Sequence, residues 1–449
     1  MTESAVKQAG LAQGDLLDLT VGEPAHGGWC VARSSAADQD PGDGAGKVVF
    51  VRHALPGERV RARVTSSTAK FARAEAVEIL DPSPDRVAPP CRYARPGGCG
   101  GCDLQHASPA AQRAIKAQVI SQQLRRIAGI EREVTVQELP GEAPAVSDAA
   151  GSAGSSGPPG SPGLGWRTRV SFAVRPDGTA GLRKHRSRQV IGITDCLIAH
   201  RLVRDLGVPR QRWPGARGVD VAVSPGSGEH SVTVAGPGRQ RGRPYLTQYA
   251  AGRSWRVSTG VFWQVHPAAA ETLTAAVLAA LRPQPGDAAL DLYCGAGLFA
   301  GALAAAVGPS GLVTGVESDI AAVRDARKNL SGLSQVRIHR GDAADVLERR
   351  GSGGATLAVL DPPRTGADRR VIELLAAPAA PGPGSPAPGR EPGPARLERV
   401  AYVSCDPATL ARDIAVFAEL NWQLDDLIAF DAFPMTHHVE CVATLSRAS

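Results

Sequence analysis

The chain has 449 residues, 43% hydrophobic and 21% charged, with a formal net charge of +6; that is roughly three domains' worth of core-forming chain, with a mild positive balance that suits a polyanionic partner without proving one. No apolar run approaches the ~18–20 residues of a membrane helix, the opening MTESAVKQAG lacks the basic-then-apolar pattern of a secretory leader, and eight cysteines are too few for a disulfide scaffold. A cytoplasmic protein with a few specialised thiols is the expectation, and the surplus of Gly (51) and Pro (35) must sit largely outside the core.

Residues 16–80 read as about five short strands parted by Gly, Pro and Asp, which suits a small β-barrel of the oligonucleotide-binding type. Arg59, Arg61 and Arg63 alternate with Val60, Ala62 and Val64, so the guanidiniums share one face of a strand. A helix is expected over 108–125, with Ser108 as its cap and Pro109 in its first turn. Two low-complexity stretches, 143–165 and 376–394, hold much of the Gly and Pro and are expected as insertions that bury no core. Residues 166–193 and 219–234 read as β-rich. From 266 onward helix and strand alternate: a helix over 268–281, strands at 288–292 and 312–316, a helix over 321–330, then strands at 336–339, 356–360 and 399–403. A closing hairpin is expected near 424–430 and 439–445. This rhythm argues a parallel sheet covered by helices.

The run DLYCGAG (291–297) ends an apolar strand and opens an Ala-rich helix. Gly295 and Gly297 permit a tight turn and close approach by a ligand. Glu317, ending the next strand, can bind two ribose hydroxyls, a feature shared by dinucleotides and S-adenosylmethionine (SAM). Asp342, after the third strand, can reach an adenine amino group. Asp361-Pro362-Pro363 follows the fourth strand on the rim where ligands bind in such sheets. Enzymes that methylate an exocyclic amine place an aromatic residue after the prolines. Arg364 stands there instead, which argues for methylation at carbon.

Cys405 closes the strand 399–403 and precedes a helix that Asp406 can cap. The helix dipole is expected to favour its thiolate. A pyrimidine's carbon 5 attacks SAM only after a thiolate adds to carbon 6, and a base must later remove the carbon 5 proton. Glu440 is the best candidate base, with His437 and His438 as alternatives. Cys441, its neighbour on a strand, should face the core. Cys91, Cys99 and Cys102, with Cys196 further on, read as a four-thiolate metal site, for which spacing leaves zinc and iron–sulfur open.

With these residues in hand, the chain resembles the RNA 5-methyluridine methyltransferase family, in its form with an N-terminal TRAM domain. DLYCGAG, VESD, DPPR, SCDPATLARD, HHVEC and CGGCDLQH carry the resemblance in type and order. It implies an α/β fold: a Rossmann-like SAM-dependent methyltransferase domain (266–449), an N-terminal OB-like TRAM β-barrel (1–82) and an α+β central RNA-binding domain with a 4Fe–4S cluster (83–265). The implied nucleophile is Cys405 and the implied proton acceptor Glu440. Implied cofactor positions are Gln264, Tyr293, Glu317, Asp342 and Asp361, alongside Gly295 and Gly297. Implied cluster ligands are Cys91, Cys99, Cys102 and Cys196, favouring iron–sulfur over zinc. The first cluster spacer is seven residues where five is common.

The expected activity is transfer of a methyl group from SAM to carbon 5 of a uridine in structured RNA, ribosomal RNA favoured over transfer RNA, by a monomer with no membrane partner. Arg183, Lys184, Arg186 and Arg188, with Arg167 and Arg169, are the expected phosphate-binding face. Two rivals are an iron–sulfur radical RNA-modifying enzyme and an RNA-binding protein without catalysis. Cysteine spacing and the availability of Cys196 as a fourth ligand count against the first, and the joint presence of Cys405, Glu440 and the cofactor loop counts against the second.

Overall fold

The computed structural model describes residues 11–34, 46–140, 162–236, 241–376 and 397–448. The stretches 143–165 and 376–394 lie almost wholly outside the described residues.

The first six strands form one sheet: β1 (Leu16–Thr20), β2 (Pro24–Ala25), β3 (Trp29–Arg33), β4 (Val48–Arg52), β5 (Arg59–Ser67) and β6 (Phe71–Asp81). Their order is β1-β5-β6-β4-β3-β2, antiparallel except for the pair β4–β6. The alternation in β5 does what the sequence predicts. Val60, Ala62 and Val64 enter the core with Leu17, Leu19, Val49 and Val51, while Arg61 faces out and pairs with Asp18 and Glu78. Buried Glu58 ties the barrel to the segment leaving it, accepting two bonds from Arg86 and one from the Leu55 N–H.

Helix α1 (Pro109–Gln123) follows, with the Ser108 side chain accepting from the Ala111 N–H as its cap. A single wide turn, Leu124–Ala128, extends it, and β7 (Val136–Glu138) comes next. The central sheet contains β8 (Arg169–Val174), β9 (Ala180–Arg183), β10 (Val190–Gly192), β11 (Gly218–Val223), β12 (His230–Ala235) and β13 (Arg241–Gly242), in the order β10-β9-β8-β11-β12-β13. A short helix α2 (Arg201–Asp205) and a separate hairpin, β14 (Tyr245–Ala250) with β15 (Arg253–Ser258), complete this part.

The third part alternates as expected: α3 (Ala269–Leu281), β16 (Ala288–Leu292), α4 (Leu298–Val307), β17 (Leu312–Glu317), α5 (Ile320–Asn329), β18 (Val336–Arg340), α6 (Ala343–Arg350), β19 (Leu357–Leu360), α7 (Arg369–Ala376), β20 (Arg399–Ser404), α8 (Pro407–Glu419), β21 (Trp422–Asp431) and β22 (Glu440–Arg447). The sheet order is β18-β17-β16-β19-β20-β22-β21-β7. Strands β16–β20 are parallel, and β22 runs antiparallel between β20 and β21. Both faces are buried, as a parallel sheet requires. Val400 and Tyr402 of β20 pack with α7 and α8 on one side; Ala401 and Val403 pack with α3 and α4 on the other.

Two elements cross the linear division of the chain. The residues of β7 join the far edge of this sheet beside Ala429–Asp431, and Ile120 and Leu124 sit in the core that holds Ile414 and Phe417. Trp255 of the β14–β15 hairpin is fully buried against α4, where a Cβ on Gly301 would lie 2.5 Å from its ring.

Candidate active site

Five consecutive parallel strands end on one rim, and each delivers a residue singled out in the sequence. They are the glycine loop after β16, Glu317 at the end of β17, Asp342 after β18, Asp361 after β19 and Cys405 after β20. Strand order reverses between β16 and β19, which opens the crevice where such sheets bind ligands.

The loop after β16 is held in left-handed backbone: Tyr293 at φ +66°, Gly295 at +53° and Gly297 at +94°. Gly297 is required sterically, since a Cβ there would meet Leu330 Cδ1 at 2.7 Å. A Cβ on Gly295 would meet nothing within 4 Å, so that side of the loop is open to a ligand. Glu317 fastens the loop: its Oε2 accepts from the Gly295 N–H (3.0 Å) and its Oε1 from the Asp319 N–H (2.8 Å). Gln264 is buried on the segment after β15, where Thr168 bonds the neighbouring Val265 carbonyl. Asp342 is exposed and caps α6, accepting from the Ala344 and Asp345 N–H groups.

Cys405 and Glu440 meet because of strand register. Ser404 of β20 pairs with Cys441 of β22. One step further along an antiparallel pair brings Cys405 opposite Glu440. Cys441 is fully buried, facing the core as expected. Asp361 stands beside them. Its carboxyl is pushed up to about 7 by burial, and Glu440 is pushed well above the carboxylate range by burial and then by Asp361. Burial, Glu440, Asp361 and Asp406 together push the Cys405 thiol up to about 12, opposed by Arg364. The expected dipole-stabilised thiolate is therefore corrected. Burial and three carboxylates outweigh the helix end, whose Ala408 and Thr409 N–H groups are already taken by Asp406 Oδ1. Arg364 is the cation that opposes them. It is exposed, and its Nη2 lies 3.2 Å from His438 Nε2.

The four expected cluster cysteines also converge. Cys91, Cys99, Cys102 and Cys196 line one narrow cavity, walled by Tyr93, Leu182, Ile193 and Ile198, with Arg167 at its side. A bridge between Cys99 and Lys184 places the cysteine segment against the β9–β10 hairpin. All four are free thiols. Burial and mutual repulsion push Cys102 well up and Cys196 up to about 11. Among the described residues, no three Cys, His, Asp or Glu side chains stand close enough to grip one ion.

Known families match in three places. The TRAM domain matches residues 11–77, Protein-L-isoaspartate(D-aspartate) O-methyltransferase matches 259–350, and tRNA (Uracil-5-)-methyltransferase matches 394–448. An RNA methyltransferase of Streptomyces coelicolor is 44% identical across 97% of this chain and 94% of its own. A 23S rRNA (uracil(1939)-C(5))-methyltransferase of Shewanella sp. (strain ANA-3) is 30% identical across 90% of this chain and 92% of its own. The chain belongs to the RNA uracil-5-methyltransferase family. The crystal structure of Pyrococcus abyssi tRNA (uracil-54, C5)-methyltransferase in complex with S-adenosyl-L-homocysteine shares the fold, with TM-score 0.63 and 20% identity over 95% of this chain and 99% of that one.

Several features of this family member escape the sequence. Asp291 is fully buried; its Oδ2 accepts from the Ala300 N–H (2.7 Å), while its Oδ1 has no partner and lies beneath the cofactor loop. Burial, with Asp361 and Glu317 nearby, raises it well above the carboxylate range. It opens the DLYCGAG motif, so the signal was present. A second feature lies within CGGCDLQH, where the sequence alone assigns its aspartate no role. Asp103, next to Cys102, accepts from Arg52 of the barrel (2.6 Å) through Oδ1 and lies 2.6 Å from His437 Nδ1 through Oδ2. His437 and His438 are therefore pinned on the loop before Glu440, their rings 4.1 Å apart. Arg169 leaves the expected phosphate-binding face: its guanidinium is shielded and donates to the Val261 carbonyl (2.5 Å). Arg183, Lys184, Arg186 and Arg188 do line a common cleft with His185 and Arg167.

Proposed function

We propose that the chain, an RNA methyltransferase by family, transfers the methyl group of SAM to carbon 5 of a uridine in structured RNA, through a Cys405–uracil adduct. The observation that carries this reading is the register that sets Cys405 opposite Glu440, with Asp361 beside both. Bound SAM supplies an electrophilic methyl group, and Gln264, Tyr293, Glu317, Asp342 and Asp361 with the Gly295–Gly297 turn would hold it. The Cys405 thiol gives its proton to water, its sulfur adds to carbon 6, and the ring electrons move onto oxygen 4 as an enolate. Arg364, the nearby cation, favours this step by offsetting the carboxylates that hold the thiol protonated. Carbon 5 of the enolate takes the methyl group. Glu440 then accepts the carbon 5 proton, the 5,6 double bond re-forms and the Cys405 sulfur leaves. A carboxyl raised by burial is a better proton acceptor than a solvated one once ionised.

The four-cysteine cavity fits a 4Fe–4S cluster in its donor set, four thiols with apolar walls, and we assign it that role ahead of zinc. The cleft of Arg183, Lys184, Arg186 and Arg188 supports RNA binding through phosphates. Ribosomal RNA is favoured over transfer RNA by the 23S rRNA enzyme among the relatives. RNA containing 5-fluorouridine tests the chemistry. Fluorine at carbon 5 blocks proton removal, so a covalent SAM-dependent adduct should accumulate on the intact protein. Its persistence in Cys405→Ser would refute the assignment of the nucleophile.

A further inference from the structure

We propose that His26, on the barrel, is a positioning residue for Cys405, acting through Asp406; the proposal rests on the methyl-transfer reading above. The turn His26-Gly27-Gly28 joins β2 to β3 and runs through left-handed backbone, at φ +88° for Gly27 and +76° for Gly28. It wedges between two catalytic-site segments. On one side Gly28 lies against Asp103, where an added Cβ would come within 2.7 Å of the Asp103 Cβ. Arg52, on neighbouring β4, bonds the same aspartate, and Asp103 in turn holds His437, three residues before Glu440. On the other side His26 Nε2 lies 3.0 Å from Asp406 Oδ2.

Asp406 directly follows the nucleophile and is fixed at every polar atom. Its Oδ1 accepts from the Ala408 and Thr409 N–H groups, its own N–H donates to Ser404 Oγ, and its carbonyl accepts from the Ser404 and Thr409 hydroxyls. His26 supplies the remaining bond, to Oδ2, and is the only anchor that comes from outside the β20–α8 connection among these. Its ring also stands 6.2 Å from His437, edge-on. The barrel therefore touches the nucleophile's segment and the base's loop through one turn. Nucleophilic attack demands that sulfur and carbon 6 meet within ~3–3.5 Å in a fixed orientation. Releasing one anchor beside the sulfur is expected to slow methyl transfer without weakening RNA binding, which belongs to the Arg183–Arg188 cleft.

The test uses the full chain, with His26→Ala and His26→Gln; Gln keeps a donor near the position of Nε2. Single-turnover methylation with tritiated SAM is measured on unmodified 23S rRNA and tRNA transcripts, across RNA concentration. The maximal rate should fall about tenfold in His26→Ala. The half-saturating RNA concentration should stay within about twofold, and His26→Gln should recover most of the rate. An unchanged maximal rate in His26→Ala overturns the proposal. So does a loss confined to half-saturation, which would make His26 an RNA contact. Absence of transfer by the unaltered chain to either transcript refutes the functional reading instead, and this proposal with it.

Discussion

Replacing Asp361 with Asn is expected to stabilise the ligand-free protein, and to do so more at pH 8 than at pH 4.5. Burial raises the Asp361 carboxyl from 3.8 to about 7. The unfolded chain releases this proton near 3.8, whereas the folded chain keeps it to about 7. Between those values the folded state binds more protons, so stability falls as pH rises, and above 7 the loss is complete. At 1.36 kcal/mol per pH unit the full loss is ~4 kcal/mol, and solvent reaching this partly exposed residue reduces it to ~2–4 kcal/mol. Asn carries no charge and escapes the loss while keeping the shape. Urea unfolding followed by tryptophan fluorescence, at both pH values and for both proteins, measures the difference. An identical midpoint at pH 8, or a gain at pH 4.5 as large as that at pH 8, would refute the reasoning. The same substitution should abolish most methyl transfer, so stability and activity move in opposite directions.

Two further outcomes test other parts of the structure. Lys116 is buried and bonds Asp431 (2.5 Å) and the Phe433 carbonyl (3.1 Å). Lys116→Met should cost ~3–5 kcal/mol by stranding the carboxylate, and Lys116→Met with Asp431→Leu should recover most of it in a double-mutant cycle read by urea unfolding. Protein purified without oxygen should carry about four irons and four sulfides per chain, both reduced by Cys102→Ala. Stoichiometric zinc without sulfide would contradict the cluster assignment.

The catalytic sheet was legible because its strands are apolar runs bounded by turn residues, and because the glycine loop has to sit where a strand meets a helix. The strand predicted at 288–292 and the helix predicted over 268–281 match β16 and α3 to within one residue. Helix α6 was missed although its cap was in view. Asp342, which the sequence offers as a ligand, also caps the helix. Strand β7 has no pattern of its own in Val136-Gln137-Glu138 and exists only because Ala429–Asp431 lies beside it. Cys405 and Glu440 stand out in the sequence by type and place, and the register of β20 and β22 brings them together. The state of the thiol depends on burial and on carboxylates from two other strand ends, Asp361 and Glu440, that only the fold assembles. Likewise nothing near His26 in the sequence announces Asp406, 380 residues away.

The pairing of β7 with β21 also sets a timetable. Val136 leaves the ribosome about 290 residues before its partner Ala429, an interval of roughly 15–60 s at ordinary rates of synthesis. The barrel, whose strands are all made by Asp81, can close early. Helix α1 and β7 complete their burial later, because Ile120, Leu124 and Val136 belong to the core that α8 and the final hairpin fill. The nascent chain must therefore carry a helix with an uncovered apolar stripe and an unpaired strand edge until its last strands emerge, a burden for chaperones that an uninterrupted methyltransferase domain would not impose.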